Sequence, residues 1–207
     1  MNREQRKENK QGTAGRVILA SASPRRKELL AQIGIAYEVV PSRAEEKTEK
    51  KLPEEIVQEL SAQKASEVCA RLEEQGEDGY TVIGADTVVS FQGEVMGKPK
   101  DAEDACRMLR ILQGNTHQVY TGVTLCQKSQ GHPARFCTFY EKTDVSMYSM
   151  SAEEIEAYVA TGEPMDKAGA YAVQGRCAAY IRGVCGDYNN VVGLPVGRLY
   201  QEMKRKL

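Results

Sequence analysis

The sequence has no tryptophan, only two histidines and no pair of cysteines spaced closely enough to form a CxxC motif. These absences leave little support for a multi-histidine metal site, a cysteine zinc site or a His-based catalytic triad. His132 lies in a Gly-His-Pro turn, and His117 opens a strand-like run, where histidine is more often structural. Any hydrolytic chemistry must therefore use carboxylates, lysine and arginine.

The sequence also lacks a large excess of positive or negative charge, and it lacks long apolar runs. Lys+Arg is 28 and Asp+Glu is 29, giving a formal net charge of -1, so nucleic-acid binding through bulk charge is not expected. No apolar run approaches the ~18 residues that cross a bilayer, and residues 1–15 lack the apolar core of a secretory signal. We expect a flexible polar tail over 1–15, a single domain over 16–207, no membrane partner, and six reduced thiols in a cytoplasmic protein.

The hydrophobic pattern alternates between strands and helices in the first half of the chain and becomes rich in strands in the second. Strands are predicted at 16–20, 37–40, 80–84, 119–126, 135–147, 169–173 and 178–184. Helices are predicted to begin near Pro24, Pro53, Asp101, the capping box at Ser151, and Pro195. This order predicts an α/β fold with a mixed sheet.

The segment from Ser21 to Arg26 has the features of an anion-binding helix N-terminus. It follows the first predicted strand, and the free N–H groups of a helix start carry partial positive charge. Arg25 and Arg26 in the first turn oppose the usual preference for acids there, an arrangement that an anion between them would relieve. An ordinary capped helix with solvated arginines is the alternative. The Walker and GxGxxG nucleotide loops do not occur in the sequence.

Two acidic positions are candidates for metal binding or water activation. Asp86 follows an apolar strand, and ligands in α/β sheets usually bind where strands end. An acid there can hold a divalent metal or orient a water, or it can simply cap a turn. Glu45 lies in a polar loop, where a glutamate is usually only solvated. Lys64 and Lys98 are weak candidates when each is taken alone.

Five segments taken together resemble the Maf family, the septum-formation-inhibitor proteins, which are nucleoside triphosphate pyrophosphatases. In order, they are Leu19–Leu30, Ile83–Val89, Gly97–Pro99, Glu163–Tyr171 and Val191–Pro195. The resemblance implies an elongated mixed β-sheet flanked by helices, with two lobes and a cleft, similar to inosine triphosphate pyrophosphatases. It also implies hydrolysis of a nucleoside triphosphate to the monophosphate and pyrophosphate, with a divalent metal (Mg²⁺ or Mn²⁺), in a homodimer.

The same resemblance implies roles for individual residues. Asp86 and Glu45 would be the catalytic carboxylates and the metal ligands. The residues implied to bind substrate are Ser21, Arg25, Arg26, Lys64, Thr87, Lys98 and Gln174. Three of them, Arg25, Thr87 and Gln174, match the branch of the family that prefers dTTP and UTP.

Two positions depart from the family pattern, and one rival function remains open. Arg43 stands where an acid is common, and Ala172 stands where glycine is frequent. The rival is a non-catalytic regulator of cell division that binds a nucleotide or a protein. The acids beside the implied phosphate site favour catalysis, because a protein that only binds has no need of them.

Overall fold

Strand pairing builds one mixed seven-stranded sheet in the computed structural model, which describes residues 15–205. The strands are β1 (Arg16–Leu19), β2 (Glu38–Val39), β3 (Tyr80–Phe91), β4 (Glu94–Met96), β5 (Thr116–Lys128), β6 (Arg135–Met147) and β7 (Ile181–Cys185). Their order is β2-β1-β3-β5-β6-β7, with β4 paired to the end of β3. Strand β1 runs parallel to β2 and β3, and the remaining pairs are antiparallel. The predicted α/β class and mixed sheet are confirmed, whereas the predicted tail, apart from Gly15, lies outside the described residues.

Helices cover both faces of this sheet. They are α1 (Pro24–Gln32), α2 (Pro53–Glu74), α3 (Ala102–Leu112), α4 (Ala152–Val159), α5 (Tyr188–Val192) and α6 (Val196–Lys204). In the part of the chain that the structure describes, three short 3-10 helices lie at Glu163–Asp166, Ala168–Ala170 and Arg176–Tyr180. The structure confirms the predicted helix starts. Local chemistry explains them, because Pro24 and Pro53 open their helices and Ser151 forms its capping box. None of the helices within 15–205 is long and apolar enough to span a membrane.

At two points helix α2 lies directly against the backbone of the sheet. A Cβ atom on Gly84 would lie 2.3 Å from the Ser61 carbonyl oxygen, and one on Gly122 would lie 2.2 Å from the Val57 carbonyl oxygen. Two glycines on neighbouring strands therefore allow the helix to approach more closely than any side chain would permit. This contact fixes the height of α2, and so of Lys64, above the sheet.

Three sequence-based expectations about strands need correction. Asp86 is not past the end of its strand, because β5 pairs with β3 from Tyr80 to Ser90 and keeps the polar residues within it. The strand predicted at 169–173 is wrong, because Gly169 (φ +67) and Ala170 (φ +59) are consecutive residues with left-handed φ angles, which interrupt the extended backbone of a strand. The strand predicted at 178–184 begins only at Ile181, after a 3-10 helix.

The fully buried His117 ties the start of β5 to Tyr171, with 2.8 Å between its Nε2 and the Tyr171 hydroxyl. Burial lowers the pKa of His117 from 6.5 to about 4. Between these values the unfolded chain takes up a proton that the folded chain does not bind. The free energy of unfolding is therefore undiminished above pH 6.5 and falls as the pH drops toward 4, by about 3 kcal/mol in all.

His117→Gln should remove this histidine's contribution to the acid sensitivity of the fold. The free energy of unfolding, measured by urea titration at pH 7 and pH 5, should differ less between the two pH values in the variant than in the wild type. His132→Gln is the matched control, because His132 is exposed. An equal pH dependence in the wild type and His117→Gln would contradict the burial argument.

Candidate active site

A gap in strand pairing opens one edge of the sheet. Strand β1 pairs with β3 only as far as Ile83, and β4 begins to pair with β3 at Val89. Within the described residues, the stretch of β3 between these two points has no strand beside it on this edge. Successive strand residues point to opposite faces, so Asp86 faces α2 and Thr87 faces the other layer. A ligand at the gap can reach both side chains.

A cavity of about 430 Å³ lies at this gap, within the size range of small-molecule sites. It is bounded by the start of α1, the centre of β3, the loop before α2 and the segment that follows the second 3-10 helix. The predicted site residues that line it are Ser21, Arg25, Arg26, Lys64, Asp86, Thr87, Lys98 and Gln174. The structure therefore brings together, from distant parts of the chain, all of the predicted site residues except Glu45.

The first turn of α1 presents free backbone donors to this cavity. Ser23 occupies the N-cap position, but its side chain makes no cap hydrogen bond, and the first turn contains no acid. Instead, the Ser21 hydroxyl accepts a hydrogen bond of 3.3 Å from the Ser23 N–H. The remaining N–H groups of the turn keep their capacity for an anion.

Arg26 is held in place by three hydrogen bonds from its guanidinium. Nε donates to the Gly193 carbonyl (2.8 Å), Nη1 to the Ser21 hydroxyl (3.1 Å) and Nη2 to the Thr87 hydroxyl (3.2 Å). A guanidinium has five N–H donors, so two remain for a ligand. Burial lowers the pKa of Arg26, and the nearby Asp86 carboxylate opposes that shift. The alternative of a solvated arginine does not hold at this position.

Lys64 bridges two of the carboxylates that line the cavity. Its Nζ lies 2.6 Å from Asp86 Oδ1 and 3.0 Å from Glu46 Oε1. The side chains of Lys64 and Asp86 are each only 11% exposed. Burial raises the pKa of Asp86 from its ordinary value, and the adjacent Lys64 ammonium opposes the rise. A buried carboxylate beside a fixed cation can accept a proton from a bound water.

Glu46, rather than the predicted Glu45, is the loop glutamate in the cavity. The Glu45 carboxylate lies 2.7 Å from Lys47 Nζ, with both side chains 75% exposed. The sequence of this polar loop has no periodicity that distinguishes the two adjacent glutamates. In the structure, the contact with Lys64 identifies Glu46 as the one in the cavity. Arg43, one of the two departures from the family pattern, is exposed, and its backbone N–H donates to Glu67.

Gln174 and its neighbours form another wall of the cavity. Tyr171, Ala172 and Val173 are buried and line the cavity, whereas Gln174 is exposed at its margin. Arg25 also lies at this margin, and its Nη1 donates to Asp166 Oδ2 over 3.2 Å. The wall thus combines an apolar surface with an amide that can both donate and accept hydrogen bonds.

The sequence pattern of one known family, described as Maf-like protein, matches residues 16–206. The chain belongs to the Maf family. A relative from Agathobacter rectalis is 54% identical over 198 residues, covering 91% of this chain and 96% of the relative. A relative from Lachnoclostridium phytofermentans is 48% identical over 189 residues, covering 91% of this chain and 94% of the relative. Both are named dTTP/UTP pyrophosphatases.

A solved structure of the Staphylococcus aureus Ham1 protein is 13% identical to this Maf chain, with a TM-score of 0.44. The matched region covers 90% of this chain and 98% of the Ham1 chain.

The oxygen donors of the Maf cavity suit a hard divalent cation, but they are few. Within residues 15–205 there is no group of three or more His, Cys, Asp or Glu side chains that could hold a metal ion. Asp86 and Glu46 are two carboxylates of the type that Mg²⁺ and Mn²⁺ accept, and Mg²⁺ is commonly bound by one or two carboxylates together with substrate phosphates. The residues therefore fit an ion that is completed by a triphosphate.

Proposed function

We propose that this chain is a pyrophosphatase that cleaves dTTP and UTP to the monophosphate and pyrophosphate. The observation that carries the proposal is a buried carboxylate, Asp86, paired with Lys64 beside a helix N-terminus that has uncapped N–H groups. The names of the relatives from Agathobacter rectalis and Lachnoclostridium phytofermentans support the substrate class. The non-catalytic alternative is not favoured, because nucleotide binding alone gains nothing from a buried acid.

In the proposed reaction, Asp86 accepts a proton from a water that attacks the α-phosphorus. The bond between the α-phosphorus and its bridging oxygen breaks, and pyrophosphate leaves in line with the attack. Arg26, Lys98 and the first turn of α1 stabilise the charge that develops on the leaving group. When a divalent ion is bound, it adds further charge neutralisation, and Asp86 and Glu46 would hold it.

Pyrophosphate release from a panel of nucleotides tests the function directly. With Mg²⁺ or Mn²⁺ present, kcat/KM for dTTP and UTP should exceed kcat/KM for ATP and GTP by about tenfold or more, because a wrong base leaves polar groups unpaired. Addition of a chelator is the matched control and should abolish turnover. No pyrophosphate release from any nucleotide would favour the regulator, and equal kcat/KM for UTP and GTP would reject only the preference for pyrimidines.

The two loop glutamates give a matched pair of variants. Glu46→Gln should lower kcat/KM for UTP at least ~10-fold, because it removes one of the two carboxylates that contact Lys64. Glu45→Gln should stay within ~2-fold of the wild type, because exposed surface pairs contribute little. Steady-state kinetics on both proteins measure this difference. If Glu45→Gln lost more activity than Glu46→Gln, the catalytic role expected of Glu45 from the family pattern would stand.

Assembly and location complete the proposal. The family resemblance supports a homodimer and a single catalytic unit over 16–207. All six cysteines are free thiols in the structure, which fits the reducing conditions of the cytoplasm.

A further inference from the structure

The turn that presents Gln174 is closed by its own backbone. The Gly175 N–H donates to the Ala172 carbonyl over 3.2 Å, so that Gln174 lies near the tip of a four-residue turn. Ala172 and Gln174 both line the cavity. The position of the Gln174 amide therefore depends on how firmly the two ends of this turn are held.

One carboxylate, that of Glu163, holds both ends of the turn. At the far end, the Arg176 N–H donates to Glu163 Oε1 and Oε2 over 3.1 and 3.2 Å. At the near end, the Ala172 N–H donates to the Tyr158 hydroxyl over 3.2 Å, and that hydroxyl donates to Glu163 Oε1 over 2.8 Å. We refer to the Tyr158 and Glu163 side chains together as the Glu163 clamp.

The surroundings of the clamp are built around this carboxylate. A Cβ atom on Gly175 would lie 2.2 Å from Glu163 Oε1, so only glycine leaves room for the carboxylate beneath the turn. The Lys167 ammonium donates to the Glu163 carbonyl over 2.8 Å and fixes its backbone. Burial raises the pKa of Tyr158, so its hydroxyl stays protonated and continues to donate.

Neither clamp side chain is among those that line the cavity, so neither can touch a nucleotide there. We propose that Tyr158 and Glu163 are positioning residues that set the base preference of the enzyme by holding the turn that carries Gln174. This inference rests on the proposed function and takes Gln174, which lines the cavity and matches the branch that prefers dTTP and UTP, as the residue that reads the base. Uracil donates from N3 and accepts at O4, whereas cytosine accepts at N3 and donates from its 4-amino group. An amide on a loosened turn can adjust to either pattern, so loosening should erode selectivity before it reduces turnover.

The test compares kcat and KM for UTP and CTP in clamp variants. Tyr158→Phe and Glu163→Ala should lower the ratio of kcat/KM for UTP to that for CTP by about five- to tenfold. The change should lie in KM, which should fall for CTP and rise for UTP, with kcat for each nucleotide within ~2-fold of the wild type. Glu163→Gln keeps an acceptor for the Arg176 N–H and should give an intermediate ratio.

Ser151→Ala is the matched control for stability. It removes the capping bond from the Glu154 N–H to the Ser151 hydroxyl at the start of α4, the helix that carries Tyr158, without touching the turn. Its melting temperature should fall, while its UTP to CTP ratio should stay at the wild-type value. An equal loss of selectivity in Ser151→Ala and Tyr158→Phe would overturn the inference, because helix stability would then explain both.

Gln174→Ala separates failure of the clamp from failure of base reading. If Gln174→Ala lowers the UTP to CTP ratio and both Tyr158→Phe and Glu163→Ala leave it unchanged, the clamp is wrong and base reading stands. If Gln174→Ala leaves the ratio unchanged, base reading by Gln174 fails, and the clamp fails with it. A lowered ratio in all three variants, with the intermediate value in Glu163→Gln, supports both.

Discussion

Replacing Asp86 with asparagine is expected to lower kcat for UTP by at least ~10²-fold while leaving the fold intact. Asparagine has nearly the same shape and keeps an oxygen that can accept from Lys64, but it cannot take a proton from water at neutral pH. It also removes the negative charge 2.6 Å from the Lys64 ammonium. Pyrophosphate release at saturating UTP measures the effect, and the melting temperature reports the fold.

The same substitution at an exposed aspartate provides the control. Asp78 is exposed in the loop before β3, so Asp78→Asn should keep wild-type kcat. Near-wild-type turnover by a folded Asp86→Asn protein would rule out Asp86 as the general base.

Gly84→Ala should destabilise the protein and impair catalysis together. The new methyl group would lie 2.3 Å from the Ser61 carbonyl and 2.8 Å from the Ala65 N–H, both rigid backbone atoms of α2. Relieving this clash requires α2 to move away from the sheet. Overpacking of this kind lowers the free energy of unfolding by about 2–3 kcal/mol. Because Lys64 lies on the same turn of α2, kcat/KM for UTP should also fall, by about tenfold. Urea unfolding and steady-state kinetics measure the two effects.

Gly183→Ala is the control for a glycine in a strand. Gly183 lies in β7, and a methyl group added to it would have no atom within 4 Å, so alanine there should leave stability and kinetics close to wild type. Equal stability of Gly84→Ala and the wild type would mean that α2 can shift freely on the sheet.

Local chemistry explains which parts of the fold were predictable from the sequence. The starts of α1 and α2 follow from prolines at their first positions, and the start of α4 follows from its capping box. The strand predicted at 169–173 failed because its apolar residues pack into the core through left-handed turns, a conformation that hydrophobic pattern alone does not reveal. Helix α5, at Tyr188–Val192, was missed because five residues are too few to show helical periodicity.

The candidate site was predictable mainly where motifs lie on regular elements. Arg26 on α1 and Asp86 on β3 lie in such motifs, and both line the cavity. The choice between Glu45 and Glu46 depends on a loop conformation that is set by distant contacts, and the Glu163 clamp depends on three separate segments meeting. Such long-range contacts leave no periodic signal in a single sequence.

Because the edge of the sheet is open at the gap, binding of a nucleotide there can be measured without any turnover. The Ile83 carbonyl accepts from the Ala20 N–H on the side of the parallel strand β1, so alternation directs the backbone N–H groups of Ala85 and Thr87 toward the gap. Amides without a ladder partner exchange their hydrogen for deuterium faster than paired ones. A nucleotide seated at the gap would slow exchange at these two amides while leaving the paired amide of Asp86 unchanged. Deuterium uptake along β3 thus reports binding even in a catalytically dead protein.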